Sequence, residues 1–177
     1  MNSGHHLILG KLVDFITGGT IQDTHDERYR QKLARLLVEK KGYTKNDIKP
    51  RFELSVSVDT KKAVVEIDFL ITLSDKICMI IKYSPGSLVT RHRPVLAVSR
   101  LVAPYQVPIV VATNGEDADI LDGYINEVIS SGLESIPDRG QLAKRVADIP
   151  FKHISSKQAE MESRIIYAFE IDGCCCS

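Results

Sequence analysis

The chain has 177 residues, 44% of them hydrophobic and 26% charged, and its 23 basic and 23 acidic side chains cancel to a formal net charge of zero. That length and balance fit one globular domain with a real core and short appendages. Zero net charge excludes a global field drawing the protein onto nucleic acid or an anionic bilayer, so any such contact must come from a local patch. The longest apolar runs, Ile77–Ile81 and Val107–Ala112, are too short to span a bilayer. His5–Gly10 is too short for a secretory signal. A cytoplasmic protein with no membrane partner is expected.

Taken in chain order, Leu7, Ile8, Leu12, Phe15 and Ile16 predict a short N-terminal helix ended by Gly18-Gly19. Thr24 followed by Glu27 has the spacing of a capping box. The helix it opens carries Tyr29, Leu33, Leu36 and Leu37 at helical spacing, and Gly42 closes it. Phe52, Leu54, Val56 and Val58 then alternate with polar residues, which predicts a half-buried strand. After a polar turn at 59–62, a second strand puts Ala63, Val65, Ile67 and Phe69 on one face and Val64, Glu66, Asp68 and Leu70 on the other. A turn at Ser74-Asp75 leads to a third strand, Lys76–Tyr83. The three strands read as an antiparallel meander.

Ser84-Pro85-Gly86-Ser87 breaks the chain. Val95, Leu96, Val98, Leu101 and Val102 follow at helical spacing, with Pro94 tolerable in the first turn. Val107–Ala112 predicts a strand covered on both faces, and Ala118–Leu121 a short edge strand after the Thr113-Asn114-Gly115 turn. The remainder is expected to be mostly helical, including Lys157–Phe169. This order predicts an α/β sandwich around one mixed sheet, an antiparallel meander flanked by helices. Cys78 reads as a buried core thiol. Cys174, Cys175 and Cys176 read as an exposed tail and His5-His6 as a frayed terminus.

Several phrases in this order resemble the N-terminal domain of the restriction subunit of type I restriction enzymes, and more narrowly small stand-alone bacterial proteins carrying that domain. They are Glu27-Arg28-Tyr29-Arg30-Gln31-Lys32-Leu33, Gly42-Tyr43, Val65-Glu66-Ile67-Asp68-Phe69, Ile81-Lys82-Tyr83-Ser84-Pro85-Gly86, Arg100-Leu101-Val102-Ala103-Pro104-Tyr105 and Val110-Val111-Ala112-Thr113-Asn114-Gly115. Gly132-Leu133 and Ile136-Pro137 also fit. The resemblance runs over residues 24–139, with 1–23 as a helical N-terminal extension and 140–177 as a helical C-terminal extension and cysteine-ending tail.

The resemblance implies a restriction-endonuclease-like fold of the PD-(D/E)XK superfamily. Its active members hold Mg²⁺ or Mn²⁺ between an Asp on one strand and the Glu of a Glu-x-Lys on the next. The metal activates a water against the scissile phosphate. Here Asp68 matches the Asp and Lys82 the Lys, while Ile80 stands at the Glu position. The Gln-x-x-x-Tyr of the following helix is replaced by Pro94 and Val98. An isoleucine cannot ligate a hard cation, so the expectation is a catalytically inactive remnant with no bound metal, and Ile80→Glu is expected to raise metal affinity.

The alternative is an active metal-dependent endonuclease in which Glu66, two residues before Asp68, or Glu27 on the first helix supplies the missing acid. Arg91 and Arg93, with Lys82, form a basic group at a helix start. Cations there oppose the helix dipole, so they are candidates for phosphate contact. The ordinary readings are a solvated loop, a strand-end lysine whose stem lies on apolar surface, and acids on the less-buried face of a strand. The partner expected is DNA or another protein, and assembly into a homo-oligomer is left open.

Overall fold

A computed structural model describes residues 7–170. Strands β1 (Gly10–Val13) and β2 (Thr20–Asp23) form an antiparallel hairpin, with Gly10 opposite Asp23. This replaces the helix expected over Leu7–Ile16. The Asp14 carboxylate accepts from the backbone of Ile16 at 3.0 Å and Thr17 at 2.7 Å, which turns the chain at once. Helix α1 (His25–Arg35) passes into a wider turn over Leu36–Lys40, and Gly42 leaves in the left-handed region at φ +72°. His5-His6 and the cysteine triplet lie outside the described residues.

The meander forms as expected. Strands β3 (Ile48–Val58), β4 (Lys61–Leu73) and β5 (Lys76–Tyr83) pair antiparallel. Ser74 and Asp75 both take positive φ, +49° and +62°, the conformation that matches strand twist in a tight hairpin. Helix α2 (His92–Leu101) crosses over to β6 (Ile109–Thr113), which lies parallel to β5 and is buried along its whole length. Strands β7 (Ala118–Asp122) and β8 (Val128–Ser131) continue antiparallel, giving the order β3-β4-β5-β6-β7-β8. β7 is therefore an interior strand rather than the expected edge, and β8 takes the edge within a stretch expected to be helical. Helices α3 (Arg139–Val146) and α4 (Ser156–Glu170) complete the chain.

The sheet is covered on both sides. On one, Leu33 and Ala34 of α1, Leu37 of the wider turn after it and Leu142 of α3 pack on Phe69, Ile71, Met79, Ile81, Val111 and Ile120. On the other, Val95, Leu96 and Val98 of α2 and Ile166 of α4 pack on Ile67, Leu70, Ile80, Val110 and Leu121. Cys78 is buried in the first core. The second is clamped by Glu162 of α4, which pairs with Arg93 and Arg100 of α2. Among the described residues, no helix is long and apolar enough to cross a membrane.

One departure from simple alternation positions everything that follows. Val65 and Ile67 face the α2 side as one strand face requires, but Phe69 joins the α1 side and Leu70 the α2 side. The expected grouping of Phe69 with Val65 and Ile67 is thus corrected. The ladder runs from Pro50–Phe69 to Phe52–Ile67, leaving Arg51 and Asp68 unpaired between them. Arg51 has φ +49°, a left-handed conformation costly for a residue with a Cβ. The break lets β4 rotate between Ile67 and Leu70.

The hairpin is tied down by Asp14, only 2% exposed. Gln31 of α1 donates to it at 2.9 Å and Arg51 of β3 pairs with it at 2.8 Å. Burial alone would raise this carboxyl, but the hydrogen bonds from Thr17, Gln31 and Arg51 outweigh it and bring the pKa from 3.8 to about 2. A group depressed in the folded state stabilises above its unfolded pKa and loses that contribution as pH falls through the folded one. Asp14→Asn is therefore expected to cost as much as about 2 kcal/mol at neutral pH. The deficit relative to wild type should shrink from about pH 4 to about pH 2. Urea unfolding across that range checks this, and a deficit independent of pH contradicts it.

Candidate functional site

The site is built on a polar stripe of α1. Glu27, Arg30, Gln31, Ala34 and Leu37 recur at three- and four-residue spacing, so they share one face, and Glu27, Ala34 and Leu37 are buried. Thr24 caps the helix by accepting from the Glu27 backbone at 3.1 Å. The Glu27 side chain does not complete the expected box. It receives Gln31 at 2.9 Å and an ion pair from Arg51.

Asp68 lies one layer beneath this stripe, 2% exposed. Because β4 has rotated, its carboxylate points at α1. Its Oδ1 accepts from Arg30 Nε, and its Oδ2 accepts from the backbone N–H of Tyr83 at 2.6 Å. Both oxygens are therefore committed inside the protein. Arg30 also faces Glu27 at 3.7 Å and Glu66 at 3.9 Å. The Tyr83 ring lies 5.4 Å from the guanidinium carbon, within cation–π range. Tyr83 is fixed by its hydroxyl donating to Asp26 at 2.9 Å and by stacking on Tyr29, centroids 5.8 Å apart. Gly115 makes that stack possible, since a Cβ there would stand 2.4 Å from the Tyr29 ring.

Electrostatics follow from this packing. Burial opposes the charge on Arg30, but the carboxylates of Asp68, Glu66 and Glu27 outweigh it and its pKa is raised. Burial pushes the Glu66 carboxyl up and nearby Asp68 adds to this, against the pull of Arg30, Arg51 and Lys82. Of these acids, Glu66 has the open side, with 45% of its side chain exposed.

Ile80 and Lys82 are two apart on β5 and share the other side of the sheet. Ile80 is fully buried against α2. Lys82 lines a small recess with Ser84, Arg91, Pro94, Val95 and Ala112, and its ammonium donates to the Glu66 carbonyl at 3.1 Å. The structure thus brings Asp68, Glu66 and Glu27 together on Arg30. It does not aim residue 80 at Asp68, as the strand alignment had implied.

The basic group at the start of α2 divides in the same way. His92 pairs with Asp119 of β7 at 2.7 Å, and Arg93 with Glu162 of α4 at 2.7 Å. These acids arrive from distant elements and offset the unfavourable dipole. Arg91 borders the Lys82 recess, and its Nε is buried with no hydrogen-bond partner among the described residues.

A six-stranded mixed sheet with helices on both faces, and an acidic cluster where β4 breaks beside α1, defines an α/β sandwich of the kind expected from the sequence. The family described as type I restriction enzyme R protein N terminus matches residues 25–137, and the chain belongs to it. No curated protein and no solved structure matches the chain.

A divalent metal of the sort the resemblance implies is a poor fit to these residues. Such an ion requires several oxygen donors that converge on one point and whose charge is not already met, and the charge of Asp68 is met by Arg30. Both oxygens of Asp68 already accept hydrogen bonds, and residue 80 contributes only a hydrocarbon to an apolar core. Among the described residues, no three His, Cys, Asp or Glu side chains are placed to hold a metal.

Arg30, Arg51, Asp14 and Gln31 did not emerge from the sequence as site residues. One signal was there for two of them. Arg30 and Gln31 fall three and four residues after Glu27, on the stripe that continues to Ala34 and Leu37, and charges on a buried stripe need buried partners. The left-handed Arg51 had no such signal.

Ile80→Glu is expected to place a carboxylate among Leu70, Val95 and Val110 rather than beside Asp68. The predicted outcome is a stability loss of roughly 3–5 kcal/mol with no gain in Mn²⁺ affinity. Urea unfolding and calorimetry check the pair. Undiminished stability with a gain in metal binding contradicts the geometry described here.

Proposed function

We propose that this chain is a non-cutting DNA-binding module of the restriction-subunit family, holding duplex phosphates at the Lys82–Arg91 recess. The observation that carries the reading is the separation of the family's motif positions. Asp68 is sealed under α1 by Arg30, residue 80 is apolar core, and Lys82 lies beside Arg91 at the head of α2. Catalysis on phosphate needs a carboxylate, a metal and the lysine at one point in space, and the three positions do not converge. Binding needs only accessible cations at helix-end geometry. Lys82 and Arg91, both half-buried, bring two cations to one recess at that helix end, and Arg93 beside them pairs with Glu162. The alternative of an active endonuclease recruiting Glu66 or Glu27 is disfavoured because both already face Arg30.

Fluorescence anisotropy with a labelled duplex tests this. Affinity is expected to fall steeply with salt as condensed counterions are released. Lys82→Ala with Arg91→Ala should weaken binding at least about tenfold and lower the salt slope by about two. Plasmid incubated with Mg²⁺ or Mn²⁺ should stay intact. No binding at low salt would leave a protein partner as the ligand, and cleavage abolished by Asp68→Asn would make the chain a nuclease.

A further inference from the structure

We infer that Arg30 is the resident cation of the acidic pocket and keeps divalent metal out of it. The inference rests on the non-cutting reading above and deepens it by naming the residue responsible. Each of the three guanidinium nitrogens faces a different carboxylate. Nε donates to Asp68, Nη1 stands 3.7 Å from Glu27, and Nη2 stands 3.9 Å from Glu66. A planar fork with fixed donors suits this division better than a point charge does. The Tyr83 ring lies beside the guanidinium, and 22% of the Arg30 side chain is exposed.

Charge and donor chemistry give the consequence. Glu27, Glu66 and Asp68 come from α1 and β4, and two of them have further partners: Gln31 and Arg51 meet Glu27, and the Tyr83 amide meets Asp68. Arg51 compensates Glu27 in part, but Asp68 has no other cation in an ion pair with it among the described residues. Remove the guanidinium and three carboxylates, Glu27 and Asp68 buried and Glu66 part-exposed, are left with excess negative charge. That is the environment hard divalent cations select, and the exposed side of Glu66 gives an entry path. The hydrocarbon at position 80, which faces the other side of the sheet, is then not what keeps metal from Asp68; the Arg30 guanidinium already stands among the acids.

Arg30→Met keeps the stem and deletes the cation. Calorimetric titration with MnCl₂ alone is expected to detect no specific binding to wild type. The variant should take about one Mn²⁺ per chain, at least about tenfold more tightly, and Arg30→Met with Asp68→Asn should lose it again. A variant that binds Mn²⁺ no better than wild type overturns the inference, as does wild-type binding that Asp68→Asn abolishes. If Arg30→Met does not fold by itself, refolding is attempted with Mn²⁺ or with methylguanidinium. Rescue by Mn²⁺ supports the inference, and failure of Mn²⁺ to rescue overturns it. DNA cleavage by wild type would instead sink the reading on which it rests. A non-cutting wild type with a metal-blind variant sinks the inference alone.

Discussion

The ion pair between Arg30 and Asp68 joins the helical layer to the sheet at the point where the strand ladder fails. A carboxylate 2% exposed is tolerable only with its charge met and its lone pairs used. The guanidinium meets the charge, and the Tyr83 amide uses the second oxygen. Around that pair the neighbouring groups fall into place. Arg51 adopts left-handed backbone and turns to Glu27 and Asp14, Gln31 bridges the same two acids, and Asp14 closes the N-terminal hairpin. One polar layer thus ties together β1, β2, α1, β3 and β4. The net worth of such a layer is smaller than its bond count implies, because each charge was desolvated to enter it. Its effect is to specify one arrangement, as removing any one partner strands another.

The rotation of β4 sets the acids apart from the lysine. Upstream of the break Glu66 and Asp68 face α1, while on β5 residues 80 and 82 face α2. A purely alternating pair of strands would have put Asp68 opposite Lys82. The acids and the lysine instead lie on two sides of the sheet, and the Lys82 ammonium reaches across to the Glu66 carbonyl. The same layout puts Lys82 and Arg91 on the α2 side. That side is lined by aliphatic residues up to the head of the helix, where Arg91 and Lys82 border one recess and the acids of β7 and α4 pair with His92 and Arg93.

Much of this was legible in the sequence, for physical reasons. Period-two alternation and the Ser74-Asp75 turn specified the meander, and a fully apolar valine run specified a strand buried on both faces. The cap at Thr24 and the exit at Gly42 bounded the first helix. What was not legible depends on contacts far apart in the chain. Leu7–Ile16 has too few apolar residues to distinguish a helix from a hairpin, and an aspartate binding its own turn decided the matter. Val128–Ser131 is a strand because β7 offers it an edge, which no local propensity reports. Asp68, Glu66, Glu27 and Lys82 were visible as candidates because motif spacing is local. Their division between two faces was not, because it follows from a backbone irregularity at Arg51, a residue with no local reason to be left-handed.

The central claim is that a guanidinium, and not a metal ion, neutralises Asp68. A crystal structure of the wild-type protein grown in millimolar MnCl₂, with anomalous data collected near the manganese edge, addresses it directly. The account predicts Arg30 seated on Asp68 and no anomalous peak between Asp68, Glu66 and Glu27. A peak at coordination distance from Asp68 Oδ1, with the Arg30 side chain swung away, would contradict it.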